Sequence, residues 1–299
     1  MFRPSQRVDR VNLKPVSIWL QPEPQNWWLI VDDAIMEDLG SGDVTAGALS
    51  EDLTTRWHIE AQSDGVLSGV AIAEYLLAPY GNDPETAFIE VHRADGEFVS
   101  RGERILSGLL PGRRALTAER TALNFLMHMG GIATLTDQFV RKVEGTSAKI
   151  VDTRKTIPLM RSLQKYAVRC GGGHNHRMGL YDGAMLKDNH IAAAGSVTRA
   201  VETLRGYLSH MTKIEVECET LEQVDEAVQA GADVVLLDNM DPFMMREAVK
   251  AHKGKCLFEA SGGINLDTVR GVALTGVDLI SIGALTHSAP AMQFHMELG

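Results

Sequence analysis

At 299 residues with 44% hydrophobic content, the chain is long enough to bury a sizeable core, which excludes a disordered or fibrous protein. Its formal net charge of −10 argues against a nucleic-acid partner, because affinity for a phosphate backbone rests on cations outnumbering acids. The three cysteines, Cys170, Cys218 and Cys256, lie far apart and match no metal or redox spacing, which points to a reduced, cytoplasmic setting. Residues 1–26 read as a leader: Arg3, Arg7, Arg10 and Lys14 are followed by no apolar run of signal-peptide or membrane-span length.

Residues 27–130 predict a smaller α+β domain. A helix is expected over 30–39, then strands over 56–61 and 88–92, with Gly65, Gly69, Gly96, Gly102, Gly108 and Gly112 as turn residues. Thr117 offers an N-cap to a long connector helix whose apolar stripe is Ala122, Leu123, Leu126 and Met127, and Gly130-Gly131 is expected to interrupt it. From 131 to 286 the pattern alternates. Strands are expected at 149–153, 184–187, 213–218, 233–238, 256–260 and 278–282, with helices such as 221–230 and 266–275 between them. Repeated strand-helix units make a parallel sheet, and so many in succession favour an open (β/α) barrel of six to seven strands. Residues 287–299 are expected to pack back on the N-terminal domain.

Polar residues sit at every strand end: Asp152, Arg154 and Lys155; Lys187, Asp188 and Asn189; Glu217; Asp238 and Asn239; Ser261-Gly262-Gly263; Ser281, Gly283 and Ala284. In a βα barrel all strand C-termini open on one face, so these groups converge there, which is the arrangement of an enzyme. Between Asp152 and His190 stand seven Lys or Arg and three His against three Asp, a local cation excess that suits a small anion. Arg161, Lys165 and Arg169, four apart, read instead as a helix face of surface salt bridges, each worth ~0–1 kcal/mol. His174 and His176 lack the further ligands that a zinc site needs.

The runs Asp152-Thr-Arg-Lys-Thr-Ile-Pro158, Lys165-Tyr-Ala-Val-Arg169, Gly171-Gly-Gly-His-Asn-His-Arg177 and Lys187-Asp-Asn-His190 resemble the signature of the quinolinate phosphoribosyltransferase family. So do Ala118-Glu-Arg-Thr-Ala-Leu-Asn124, Val216-Glu-Cys218, Leu236-Leu-Asp-Asn239 and Glu259-Ala-Ser-Gly-Gly263, and the likeness extends from Trp28 to the C-terminus. It implies decarboxylating phosphoribosyl transfer from phosphoribosyl pyrophosphate to quinolinate, giving nicotinate mononucleotide, carbon dioxide and pyrophosphate. The implied quinolinate site is Arg154, His176, Arg177 and Lys187, with Arg120 reaching in from a neighbouring subunit, so that a homodimer is the smallest active unit. The implied phosphoribosyl pyrophosphate site is Lys155, Glu217, Asp238, Ser261, Gly262, Gly263, Ser281, Gly283 and Ala284, with Lys155, Lys187, Glu217 and Asp238 as catalytic groups. Mg2+ is the implied cofactor, held at Glu217 and Asp238 through water or pyrophosphate. The nearest rivals are a paralogue on the same scaffold, including the related proteins associated with molybdate transport, and a transferase for nicotinate itself.

Overall fold

The computed structural model describes residues 27–50, 53–78 and 87–299, so the leader expected over 1–26 lies outside the described residues. The chain opens with α1 (Trp27–Leu39), β1 (Thr54–Ala61), β2 (Gly65–Val66), α2 (Val70–Leu77), β3 (Phe88–Val91), β4 (Phe98–Val99) and β5 (Arg104–Pro111). Along β1 every second residue from Trp57 is buried, the period-two pattern of a sheet with one wet face. Strand β5 is antiparallel to β1, as is β12 (Phe294–Leu298) at the far end of the chain, giving the order β12-β1-β5-β3. Phe294 and Met296 of β12 are buried, which fixes the C-terminal segment within this sheet.

The connector is a single helix, α3 (Gly112–Val143), that differs from the expectation at two points. Thr117 lies inside it, and its hydroxyl donates to Asp43 Oδ2 at 2.8 Å instead of capping a helix start. Gly130 and Gly131 do not break it. A Cβ on Gly131 would lie 2.1 Å from the Pro290 carbonyl oxygen, and one on Gly130 would lie 3.2 Å from Met292 Sδ. The pair is therefore the place where the returning C-terminal segment crosses the helix at close range, and packing outweighs the ~1 kcal/mol per residue by which glycine weakens a helix. Gly131→Ala should lower stability by ~1–3 kcal/mol in urea unfolding, against its helix propensity, because the oxygen facing it is backbone and cannot rotate away.

The second half runs β6 (Lys149–Val151), α4 (Arg161–Cys170), β7 (Ala184–Leu186), α5 (Asp188–Ala194), α6 (Val197–Tyr207), β8 (Ile214–Cys218), α7 (Leu221–Gln229), β9 (Val234–Asp238), α8 (Pro242–His252), β10 (Leu257–Ser261), α9 (Val269–Ala273), β11 (Leu279–Ser281) and α10 (Ala284–His287). Its strands form one parallel sheet of order β6-β11-β10-β9-β8-β7, the open α/β barrel expected from the alternation. The edge strands β6 and β7 are consecutive in sequence, and the segment after α4 fills the opening, bridging to β6 through Val151 and His174. Alternate residues of β8 divide their roles: Ile214, Val216 and Cys218 are buried in the core, which sends Glu215 and Glu217 to the opposite, inner face.

The two halves are tied by a buried polar contact. Tyr166 of α4 donates to Asp95 Oδ2 at 2.8 Å, while the Val70 N–H at the start of α2 donates to Oδ1 at 2.9 Å. Burial raises the Asp95 carboxyl above its ordinary value despite these donors. Burial also pushes the thiols of Cys170 and Cys218 up to about 12 and that of Cys256 up to about 11, so none supplies a thiolate nucleophile near neutrality. Among the described residues no helix is long and apolar enough to cross a membrane.

Candidate active site

Asp152, directly after β6, organises the cationic segment. Its carboxylate is fully buried and receives the Lys165 ammonium, the Asn175 side-chain amide at 2.5 Å and the His176 backbone N–H at 2.9 Å. Lys165 also donates to the His176 carbonyl at 2.8 Å, so one ion pair grips both ends of that residue's backbone. Burial raises the Asp152 carboxyl and lowers the Lys165 ammonium, and their mutual attraction opposes both shifts. The helix face carrying Arg161, Lys165 and Arg169 is thus not a solvated one. Lys165 is 1% exposed, Arg161 donates to the Met178 carbonyl at 3.0 Å, and the Arg169 guanidinium lies 5.7 Å from the Tyr166 ring centre. The reason is the opening between β6 and β7: α4 supplies the barrel's missing wall, so its polar face turns inward.

From this node project two guanidinium groups. Arg177 donates to the Gly183 carbonyl at 3.0 Å and sits 3.7 Å from Met185 Sδ, which anchors it to β7 across the opening. Its Nε is buried with no hydrogen-bond partner, and so is the Nε of Arg154. Burial, then the like charge of Arg154, lowers the Arg177 guanidinium below its ordinary value. Two guanidinium groups whose like charges act on each other form a seat for a small dianion.

Around them the remaining strand ends supply complementary groups. Lys187, ending β7, contacts Glu217 of β8, and its backbone N–H donates to His190 Nδ1 at 3.1 Å, which pins the start of α5. Asp238 Oδ2 accepts from the Asn239 side-chain amide at 2.8 Å, and Asn239 adopts a φ of +53°. That turn requires a glycine opposite it: a Cβ on Gly262 would meet Asn239 Oδ1 at 2.1 Å, and Gly262 itself has φ +99°. Lys155 lies over the last turn, its Cδ 3.1 Å from where a Gly283 Cβ would be, and its carbonyl accepts from Thr286 Oγ1 at 2.7 Å. Ser281 is buried, with its Oγ 3.4 Å from the Ala260 carbonyl, so its hydroxyl serves the barrel interior and only the backbone of Gly283 and Ala284 is left to that end of the mouth.

Arg120 is set apart on α3, with its side chain 62% exposed and 3.9 Å from Glu119. His176 departs from the expected role as a donor to substrate. Its Nδ1 accepts the Arg177 backbone N–H at 2.7 Å and its Nε2 faces Glu215 Oε2 at 2.9 Å, which commits both ring nitrogens inside the barrel.

Three inner residues escape a reading of strand ends. Gln164, fully buried, donates to the Thr286 carbonyl at 2.8 Å, lies 2.9 Å from His128 Nε2 and accepts from the Ile157 N–H at 3.0 Å, locking the Lys155 loop to α3 and α10. Glu215 and Glu259 lie beneath the mouth, in a cavity of about 560 Å³ that extends from Lys149 and Lys213 at the N-terminal ends of the strands up to His176 and Arg177. Alternation along β8 carries the signal for Glu215, which shares a face with Glu217. The cluster of His176, Glu215 and Glu259 has metal-ligand composition. Yet a metal on Nε2 would move the ring proton to Nδ1, where the Arg177 N–H already points, so the donor set does not fit one.

Residues 43–130 match the quinolinate phosphoribosyl transferase N-terminal domain and residues 132–297 the C-terminal domain of the same family. The chain is 41% identical over 269 residues to a probable nicotinate-nucleotide pyrophosphorylase (carboxylating) of Bacillus subtilis, covering 90% of this chain and 92% of that one. It is also 41% identical over 271 residues to the nicotinate-nucleotide pyrophosphorylase (carboxylating) of Mycobacterium leprae, covering 89% of this chain and 94% of that one. Among solved structures, the nicotinate-nucleotide pyrophosphorylase of Ehrlichia chaffeensis superposes with a TM-score of 0.86 at 38% identity, over 91% of this chain and 98% of that one. With both domain models matched in chain order and relatives of 41% identity over most of its length, the chain belongs to the quinolinate phosphoribosyltransferase family.

Proposed function

We propose that the chain transfers the phosphoribosyl group of phosphoribosyl pyrophosphate to quinolinate and decarboxylates the product to nicotinate mononucleotide. The observation that carries this reading is the pair of neighbouring guanidinium groups of Arg154 and Arg177, close enough for the charge of one to act on the other. Quinolinate presents two adjacent carboxylates, one for each fork, with Lys187 as a third cation beside them. Nicotinate offers only one carboxylate and leaves one guanidinium uncompensated. The ring nitrogen attacks the anomeric carbon as pyrophosphate departs, and Glu217 and Asp238 balance the positive charge that develops on the ribose. Lys155 and the backbone N–H groups of Gly262, Gly263, Gly283 and Ala284 meet the phosphates. The new pyridinium then holds the electron pair left at the 2-position as carbon dioxide leaves, and that carbon takes up one proton from Lys187 or water.

Glu217 and Asp238 fit Mg2+ as hard oxygen donors on adjacent strands, too few for a cage of their own and suited to an ion that arrives with the pyrophosphate. Bound there, Mg2+ neutralises charge on the leaving group. Replacing either fork by a point charge, in Arg154→Lys or Arg177→Lys, should lower kcat/KM for quinolinate by ~10–100-fold, read from coupled release of carbon dioxide and pyrophosphate. Wild-type kinetics in both variants, or turnover of nicotinate without carbon dioxide, would overturn the assignment.

The functional unit in this reading is a homodimer whose partner supplies Arg120. Support comes from the exposure of that side chain and from Ile157 and Leu159, which are 45% and 85% exposed on the loop beside Lys155, an apolar surface suited to cover. Heterodimers of Arg120→Ala and Lys187→Ala chains should regain activity at the one intact pocket. Verified mixed dimers with none would refute the sharing. The three free thiols support a cytoplasmic location.

A further inference from the structure

We propose that Glu215 and Glu259 are positioning residues for Arg177: together they hold His176 as its neutral Nε2–H tautomer, whose Nδ1 then receives the Arg177 backbone N–H. The proposal rests on Arg177 being a carboxylate donor to quinolinate. A ring nitrogen that accepts a hydrogen bond carries no proton, so the 2.7 Å contact from Arg177 N to His176 Nδ1 puts the ring proton on Nε2, 2.9 Å from Glu215 Oε2. The His176 backbone is already held at its N–H by Asp152 and at its carbonyl by Lys165. What remains to orient Arg177 is the imidazole ring, and its orientation is set from below by the two carboxylates.

Glu259 enters through its proton. Its Oε1 lies 3.7 Å from His176 Nε2, beyond hydrogen-bond range, and is buried with no hydrogen-bond partner. Two ionised carboxylates at that depth would draw a second proton onto the ring, and the only place for it is Nδ1. That proton would confront the Arg177 N–H and push the backbone away. A protonated Glu259 leaves one negative charge, on Glu215, enough to orient Nε2–H without making an imidazolium. Burial, with the charge of Glu215 added to it, raises Glu259 in that direction, to about 7. Burial lowers His176, and the hydrogen bond and charge of Glu215, then the charge of Glu259, outweigh it and raise the ring; against that pull stands the Arg177 N–H on Nδ1, which leaves no room there for a second proton.

The test uses full-length enzyme labelled with 15N-histidine, with the His176 ring signals assigned by their loss in His176→Asn, and quinolinate and phosphoribosyl pyrophosphate kinetics measured separately. The wild type should show a protonated Nε2 and an unprotonated Nδ1. Glu215→Leu should raise KM for quinolinate ~10-fold or more with little change in KM for phosphoribosyl pyrophosphate, and Glu215→Gln, whose amide oxygen still accepts from Nε2–H, should restore most of it. A protonated Nδ1 in the wild type would overturn the proposal even if Glu215→Leu fails to fold. Equal rises in both KM values would do so as well, since they mark general damage. If Arg177→Lys leaves quinolinate KM unchanged while the tautomer is as stated, the carboxylate role of Arg177 fails instead, and with it the purpose given to the network.

Discussion

Lys165→Met is expected to destabilise the protein by about 3–5 kcal/mol, because it leaves a fully buried carboxylate without its counter-ion. Asp152 would keep two donors, the Asn175 amide and the His176 N–H, and lose the one cation within contact distance among the described residues. Burial already raises the Asp152 carboxyl, and without Lys165 it rises further above its unfolded value. The folded variant then binds a proton more tightly than the unfolded chain, so its deficit in urea unfolding should shrink at pH 5 relative to pH 8. Combining Lys165→Met with Asp152→Leu should recover much of the stability, since replacing a buried ion pair with apolar groups is often neutral. Activity should stay lost, because the His176 N–H and carbonyl would both be without partners and Arg177 follows His176 in the chain. A single variant as stable as wild type at both pH values would remove the pair from the structural account.

The barrel was legible because each strand is a short, largely apolar run ended by polar residues, and that signal is local. The strand residues 214–218, 234–238 and 257–261 fall within or one residue past the expected 213–218, 233–238 and 256–260. Long-range causes were not legible. Gly130-Gly131 reads as a helix break until the Pro290 carbonyl, far along the chain, is seen lying against it. Lys165 reads as a surface cation because four-residue spacing with Arg161 and Arg169 describes a face and not what covers it. Only the opening between β6 and β7 turns that face inward. The charged residues at strand ends marked the mouth, whereas Glu215 and Glu259 lie mid-strand, one layer deeper, where their partner His176 comes from a segment outside the sheet order.

That deeper layer should leave a mark on stability as a function of pH. The Glu259 carboxyl, 1% exposed, is raised from 4.5 to about 7, first by burial and then by the charge of Glu215, with His176 opposing and Asp152 adding. Between those values the folded state holds a proton that the unfolded chain has released, so stability falls as pH rises from 4.5 to about 7 and is flat in this group above and below. The whole step amounts to about 3 kcal/mol for a shift of this size. Glu259→Gln imitates the protonated carboxyl at every pH and should be the more stable protein at pH 8 by an amount of that order, while matching wild type near pH 4.5. The difference between the two unfolding curves reads Glu259 together with His176, whose titration its charge alters, while distant groups cancel. Parallel curves across this range would mean that Glu259 is ionised in the fold, and the proton that keeps His176 neutral would then have no holder.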